Sequence, residues 1–187
     1  MRICVFCSSA KVSLEVFGEV AVEVGRVLVG RGHELVYGGT AVGMMAALAG
    51  SVRAAGGRVT GVVPRLLVER GLADERCDEL VVTDGMADRK TTMGQQADGF
   101  LALPGGLGTL DELLEIVTLK QLGYHRDPVA LYNAAGFYDP LVALLAALHA
   151  QGLSLPPEEL VLVTAELDAA FDHLEAGPQG PRDLWRA

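Results

Sequence analysis

The sequence predicts an α/β fold, a doubly wound parallel sheet with helices on both faces. Three observations carry that prediction. Short apolar runs alternate with longer amphipathic stretches along the whole chain, the pattern of strands joined by crossover helices. Several runs stop at turns rich in glycine or proline. Half of the 187 residues are hydrophobic, enough for one domain with a full core and too many for a disordered chain.

The elements follow in order. Arg2 to Phe6 reads as a first strand, ending in the small polar turn Cys7-Ser8-Ser9-Ala10. Ser13 is placed to cap a helix from Leu14 to about Gly30, with Phe17, Val20, Val24 and Leu28 on one stripe. Gly32 ends it. Glu34 to Tyr37 is a second strand, and Gly38-Gly39-Thr40-Ala41-Val42-Gly43 is a glycine turn. A helix from about Met44 to Ala55 follows, its alanines allowing close packing on the sheet, and Gly56-Gly57 closes it. Arg58 to Val63 is a third strand, stopped by Pro64. Arg65 to Cys77 is irregular and charged, around at most one short helical turn.

Glu79 to Val82 is a fourth strand, and Asp84 or Gly85 opens a helix to about Ala97. Gly99 to Leu103 is a short, wholly apolar fifth strand, which suits a buried parallel position, and Pro104 ends it. The next helix carries Leu110, Leu113, Leu114 and Val117 at helical spacing. Pro128 to Tyr132 is a sixth strand, Tyr138 to Gln151 an apolar helix, Leu160 to Val163 a short seventh strand, and Ala165 to Leu174 a last helix. Residues 1–176 form one domain on this reading, and 177–187 a frayed, Gly/Pro-rich tail.

Ligands of such folds sit at the carboxyl ends of the strands. The turns after strands one, two and five have suitable chemistry there, and the helix after strand four borders the same crevice. In the fifth turn, Gly105, Gly106 and Gly108 are free to take positive φ and to approach a ligand closely. The helix start behind them offers free N–H groups and a positive dipole end, so the expected ligand is a phosphate. A Walker A loop is absent, because no Lys-Ser or Lys-Thr follows a glycine of the required pattern. The dinucleotide pattern fails because Asp111 stands where the third glycine belongs, and the turn after strand two lacks the spacing as well. Mononucleotide binding survives both failures; nicotinamide-dependent hydride transfer does not fit.

Glu112 has two readings. Thr109-Leu110-Asp111-Glu112 matches a capping box, in which the glutamate reaches back to the cap residue. Alternatively, Glu112 faces the crevice and acts on a ligand. Arg89 and Lys90 lie beside a stripe of Met86, Met93 and Ala97 at helical spacing. Two cations beside an inward face need an anionic partner, either a bound phosphate or a carboxylate such as Glu112. Glu115 and Thr118 lie further along the central helix without a decided role. Tyr124-His125-Arg126-Asp127 reads as a polar turn.

Composition narrows the partners. A net charge of −9 argues against nucleic acid and anionic membranes, while a helix terminus can still attract a small phosphorylated ligand. Cys4, Cys7 and Cys77 make no disulfide framework, and Cys4-x-x-Cys7 begins inside a strand where a redox motif would open a helix. His33, His125, His149 and His173 lack ligand spacing, so no metal is expected. No apolar run approaches a membrane span, and the N-terminus reads as a strand rather than a signal peptide, so a cytoplasmic location is expected.

Pro104 to Glu112, P-G-G-L-G-T-L-D-E, matches the P-G-G-x-G-T-x-x-E motif of the LOG ("Lonely guy") family of cytokinin riboside 5′-monophosphate phosphoribohydrolases, often mislabelled lysine decarboxylases. Met86 to Met93 resembles that family's M-x-x-R-K-x-x-M. Tyr37-Gly-Gly39, Gly61-Val-Val-Pro64 and Gln121 to Pro128 extend the likeness, which covers about Arg2 to Glu175. The resemblance implies a Rossmann-like homodimer that hydrolyses the N-glycosidic bond of an adenine nucleotide to free base and ribose 5-phosphate, without a cofactor. It implies catalytic roles for Arg89 and Glu112. It implies nucleotide contacts from Arg89, Lys90, Gly106, Leu107, Gly108, Thr109, Leu110, Asp111, Glu112 and Thr118. Thr40 departs from the family's third glycine, Met44-Met45-Ala46 from its Leu-Met-Gly, and Ala87-Asp88 from its polar pair before the arginine. Arg65 to Cys77 aligns poorly, and Glu69 is the nearest candidate for a family carboxylate there. A nucleotide- or cofactor-binding protein without turnover is the alternative reading.

Overall fold

A computed structural model describes residues 1–178. From residue 179 onward, the expected frayed tail lies outside the described residues. Among the described residues, seven strands form one sheet: β1 (Arg2–Phe6), β2 (Glu34–Tyr37), β3 (Val59–Pro64), β4 (Glu79–Thr83), β5 (Gly99–Ala102), β6 (Val129–Tyr132) and β7 (Leu162–Thr164). Their order is β4-β3-β2-β1-β5-β6-β7, and every pairing is parallel. The chain therefore winds one way from β1 to β4 and the other way from β5 to β7. The direction reverses between β1 and β5, where Ile3 pairs with Gly99 and Phe6 with Ala102. Loops leave that point in opposite directions and open a crevice.

Among the described residues, eight α-helices accompany the sheet: α1 (Lys11–Gly30), α2 (Gly43–Ala54), α3 (Arg65–Glu69), α4 (Met86–Gln95), α5 (Leu107–Gln121), α6 (Asp139–Ala150), α7 (Pro157–Leu160) and α8 (Leu167–Glu175). Strand side chains alternate between two apolar layers. Ile3, Val5, Leu35, Tyr37 and Leu101 join α1, α2 and α8 on one face. Cys4, Phe6, Val36, Phe100 and Ala102 join α4 and α5 on the other, through Met93, Leu113 and Ile116. Both faces are covered, which explains why β5 is apolar at every position.

Four expectations are corrected. Ser13 does not cap α1; the helix begins at Lys11 after Ala10, and the Ser13 hydroxyl donates to the Ala10 carbonyl at 2.6 Å. The small residues of α2 serve contact with α1 more than with the sheet. A Cβ on Gly25 would lie 2.8 Å from that of Ser51, whose hydroxyl donates to Val22 O at 2.6 Å. Met86 is exposed, so the inward stripe of α4 is carried by Met93 and by Arg89 itself. The turn α7, opened by Pro156-Pro157, precedes a seventh strand that starts at Leu162 rather than Leu160.

Candidate active site

A crevice of ≈ 310 Å³ lies over the carboxyl ends of the central strands. Cys7, Ser8, Ser9 and Ala10 line it from the turn after β1, Thr40 from the turn after β2, and Gly106, Leu107, Gly108 and Thr109 from the turn after β5. Met45 of α2, Leu67 of α3, Met86 and Arg89 of α4 and Glu112 of α5 complete it. The three turns singled out by the sequence thus meet at one place, together with the helix after β4.

The fifth turn is built differently from its glycine pattern. Gly105, Gly106 and Gly108 all keep negative or extended φ, so freedom to take positive φ is not their purpose. A Cβ on Gly105 would lie 2.1 Å from Thr109 Oγ1, so Gly105 lets the helix start fold back on the turn. Gly106 and Gly108 have nothing within 4 Å of a Cβ position, so their bare backbone faces open crevice. Gly106, extended at φ −91°, is the cap residue of α5, and no side chain caps the helix. The first N–H groups of α5 are thus left for an anion.

This geometry removes the capping box. Helix α5 begins at Leu107, so Thr109 already lies in its first turn and is buried. Glu112 is only 5 % exposed and points to α4, where its Oε1 accepts from Arg89 Nη1 at 2.6 Å. Arg89, 4 % exposed, also donates from Nε to Val62 O at 3.0 Å. Burial raises the Glu112 carboxyl above the ordinary glutamate range, and the Arg89 charge and hydrogen bond only partly oppose it. A buried carboxylate beside a fixed cation is suited to receive a proton or to face developing positive charge.

A family model described as possible lysine decarboxylase matches residues 45–174, well over half of the chain. The chain is 44% identical over 164 residues to the probable cytokinin riboside 5′-monophosphate phosphoribohydrolase LOGL1 of Oryza sativa subsp. japonica, covering 88% of this chain and 74% of that protein. It is 42% identical to the cytokinin riboside 5′-monophosphate phosphoribohydrolase LOG7 of Arabidopsis thaliana, covering 88% and 76%. The chain belongs to the LOG family. Among solved structures it superposes on the molybdenum cofactor carrier protein of Chlamydomonas reinhardtii at a TM-score of 0.71 and 24% identity, covering 94% of this chain and 98% of that one. A protein titled TM1055 gives 0.73 at 23%, covering 94% and 98%. At those identities the likeness is one of fold.

The structure sorts the residues that the LOG family resemblance names. Arg89, Gly106, Leu107, Gly108, Thr109 and Glu112 share the crevice. Lys90 does not line it. Its ammonium is 3.0 Å from Asp111 and also pairs with Glu115, strapping α4 to α5. Asp111 is exposed and held by that pair, and Leu110 packs toward the core. Thr118 is exposed on α5, roughly 120° around the helix from Glu112 by helical geometry.

Glu69 is exposed at the end of α3 and lines no part of the crevice. The buried carboxylate of its segment is Asp74, which the sequence reading did not single out. Leu67 was not singled out either, and Met45 only within a departure from the family pattern; both face the crevice, and the Thr40 hydroxyl lies 3.1 Å from Met45 Sδ. Cys4 and Cys7 are buried thiols, both pushed up by burial and by the nearby Glu112 charge, which favours the protonated form over a redox-active thiolate. His125 is structural, its Nε2 2.8 Å from Ile116 O. A second, mainly apolar cavity of ≈ 230 Å³ lies between α4 and α5, with Glu112 as the wall between it and the crevice.

Proposed function

We propose that this chain hydrolyses the N-glycosidic bond of an adenine nucleoside 5′-monophosphate of the cytokinin type, giving free base and ribose 5-phosphate. The observation that carries the reading is the buried Arg89–Glu112 pair, 2.6 Å apart, opening on a crevice at the bare N-terminus of α5. Residues 1–176 act as one domain in this reading, and the nucleotide is the only small molecule required.

The 5′-phosphate binds the first N–H groups of α5 beside Gly106 and Gly108, with Ser8 and Ser9 across the crevice. That anchor sets the sugar beside Glu112, five residues along the helix from Leu107. As the bond between C1′ and the base nitrogen breaks, its electron pair leaves with the base and the sugar gains oxocarbenium character. The Glu112 carboxylate stabilises that charge and takes a proton from water as the water oxygen bonds to C1′. The proton ends on the departing base, so one water is consumed. Arg89 holds the carboxylate in place rather than reaching for the phosphate, because its Nη1 and Nε are already engaged.

Thr118 faces away from the crevice of its own chain, and α6 buries none of its residues despite the run Leu141-Val142-Ala143-Leu144-Leu145. A homodimer formed over these helices would cover that apolar surface and supply Thr118 to a neighbouring site. Three free cysteines suit the reducing cytoplasm. Among the described residues no helix is long and apolar enough to cross a membrane.

Incubation with AMP and isopentenyl-AMP, followed by chromatography for the free base, tests the reading. Release is expected with the native chain and lost with Glu112→Gln. Tight binding of AMP without any release would identify a nucleotide-binding protein instead.

A further inference from the structure

We infer that Asp74 is a positioning residue for the Arg89–Glu112 pair and acts on it through Gly38. The inference rests on the hydrolase reading for its kinetic consequences, and on geometry alone for its structural ones. Asp74 lies in the connection between α3 and β4, and its carboxylate is fully buried. Oδ2 accepts from the Tyr37 hydroxyl at 3.0 Å and faces Arg53 Nη1 at 3.0 Å. Oδ1 accepts from Arg76 Nε at 2.9 Å and from the Arg76 backbone N–H at 3.3 Å. The Asp74 backbone N–H donates to Gly39 O at 2.8 Å. One residue thus grips Tyr37 by its side chain and Gly39 by its backbone, the two neighbours of Gly38.

Gly38 in turn touches the pair. A Cβ placed on it would lie 1.9 Å from Arg89 Nη2 and 3.1 Å from Cζ, so the guanidinium occupies the space that any side chain would fill. Arg89 is therefore bounded on three sides: Val62 O at its Nε, Glu112 at its Nη1 and the bare Gly38 backbone at its Nη2. The turn carrying Gly38 is tied from outside. Gly39 has φ 67° and sits against β3, where a Cβ would meet Val62 N at 3.0 Å. The loop that contains Asp74 supplies the tie: besides the Gly39 bond, Thr40 pairs with Ala73 and Ala41 N–H donates to Leu72 O at 3.0 Å.

Stability alone does not call for a carboxylate here. A buried charge surrounded by two arginines and a tyrosine is no better for the fold than a well-packed apolar residue. It does fix a turn geometrically, because each oxygen is committed to named donors. Asp74 is held below the ordinary aspartate range, since the Arg76 and Tyr37 hydrogen bonds and the Arg53 charge outweigh the cost of burial. The tie therefore persists through the neutral range.

The test is Asp74→Asn, which keeps the shape and removes the charge. With AMP as substrate, kcat is expected to fall about 10- to 100-fold, the scale of a small misplacement of reacting groups. KM should stay within about twofold, because the phosphate anchor at α5 is untouched. In protein labelled with carboxyl-13C glutamate, the Glu112 signal should titrate at higher pH than in the native chain, as its cation becomes less well placed. Gly38→Ala, which pushes directly on the guanidinium, should reproduce both changes, and the double variant should be no worse than the poorer single one.

A folded Asp74→Asn with native kcat and native Glu112 titration overturns the inference, as does one that raises KM alone. Should Asp74→Asn fail to fold, Tyr37→Phe removes one tie only and must move the Glu112 titration in the same direction; no movement overturns the inference. A native chain that releases no base from AMP refutes the hydrolase reading, and the titration then still decides the role of Asp74.

Discussion

Two clusters of arginine and carboxylate sit at opposite ends of the sheet, and they differ in almost everything except chemistry. At the carboxyl ends, Arg89 and Glu112 are 4 % and 5 % exposed and make one bond of 2.6 Å. At the other end, Arg31 meets Asp168 at 2.8 Å, Asp172 at 2.7 Å and Glu175 at 3.2 Å, and Asp168 is 82 % exposed. The outer cluster has more bonds and constrains its members less. Water solvates its carboxylates whether or not Arg31 is there, so it merely fastens α8 beside α1. The inner pair is shielded from water, and each charge faces the other, so the protonation and position of one group depend on the other. The number of ion contacts is a poor guide to function; the absence of water around them is a better one.

The largest expected difference between the two ends is in turnover. Glu112→Gln should lower kcat by about 10²- to 10⁴-fold, the usual weight of a general base. Glu175→Gln should leave kcat unchanged. Assays of base release decide, and a comparable loss at both ends would break the contrast.

Arg89→Met comes next, because it strands a buried carboxylate. A loss of about 3–5 kcal/mol in urea unfolding is expected, with the Glu112 carboxyl raised further. Removing the substrate's 5′-phosphate should cost about 10- to 100-fold in kcat/KM, the weight of one charge-assisted hydrogen bond. Equal rates with AMP and adenosine would reject the anchor at α5.

The pH dependence sharpens the comparison further. Glu112 is raised above its ordinary value of 4.5, so activity should be lost on the acid side at a pH higher than that value. The sign is reversed for Asp74, held below 3.8: its contribution to stability is present above that value and is lost as pH falls through its lower folded value. An acid limb at or below 4.5 would contradict the desolvated setting of Glu112. The smallest effect belongs to Arg31→Met, about 1 kcal/mol or less and fading with added salt, with kcat untouched.

The fifth turn was legible because its parts are neighbours in the chain. Pro104 to Glu112 spells out strand end, bare turn and helix start without help from elsewhere. Yet even there the helix boundary decided which group Glu112 pairs with. The sequence allowed Thr109 to be a cap, and the fold began α5 at Leu107 by letting Thr109 pack on Gly105. Arg89 and Lys90 each called for an anion, a phosphate or a carboxylate; because helical geometry turns consecutive residues about 100° apart, Arg89 met Glu112 while Lys90 met Asp111 and Glu115. Asp74 was hidden in a charged, irregular stretch whose composition is that of a solvated loop.

The sequence by itself determined the alternation of strand and helix, the positions of the glycine turns and the family motifs, all of which depend on residues within a few positions of one another. The tertiary structure alone decided that Arg89 faces Glu112, and that Asp74 grips the turn after β2. Those contacts join residues 23 and 37 positions apart. They exist only because strand order brings the segments together, and burial then strips away the water that would otherwise make each charge independent of its neighbour.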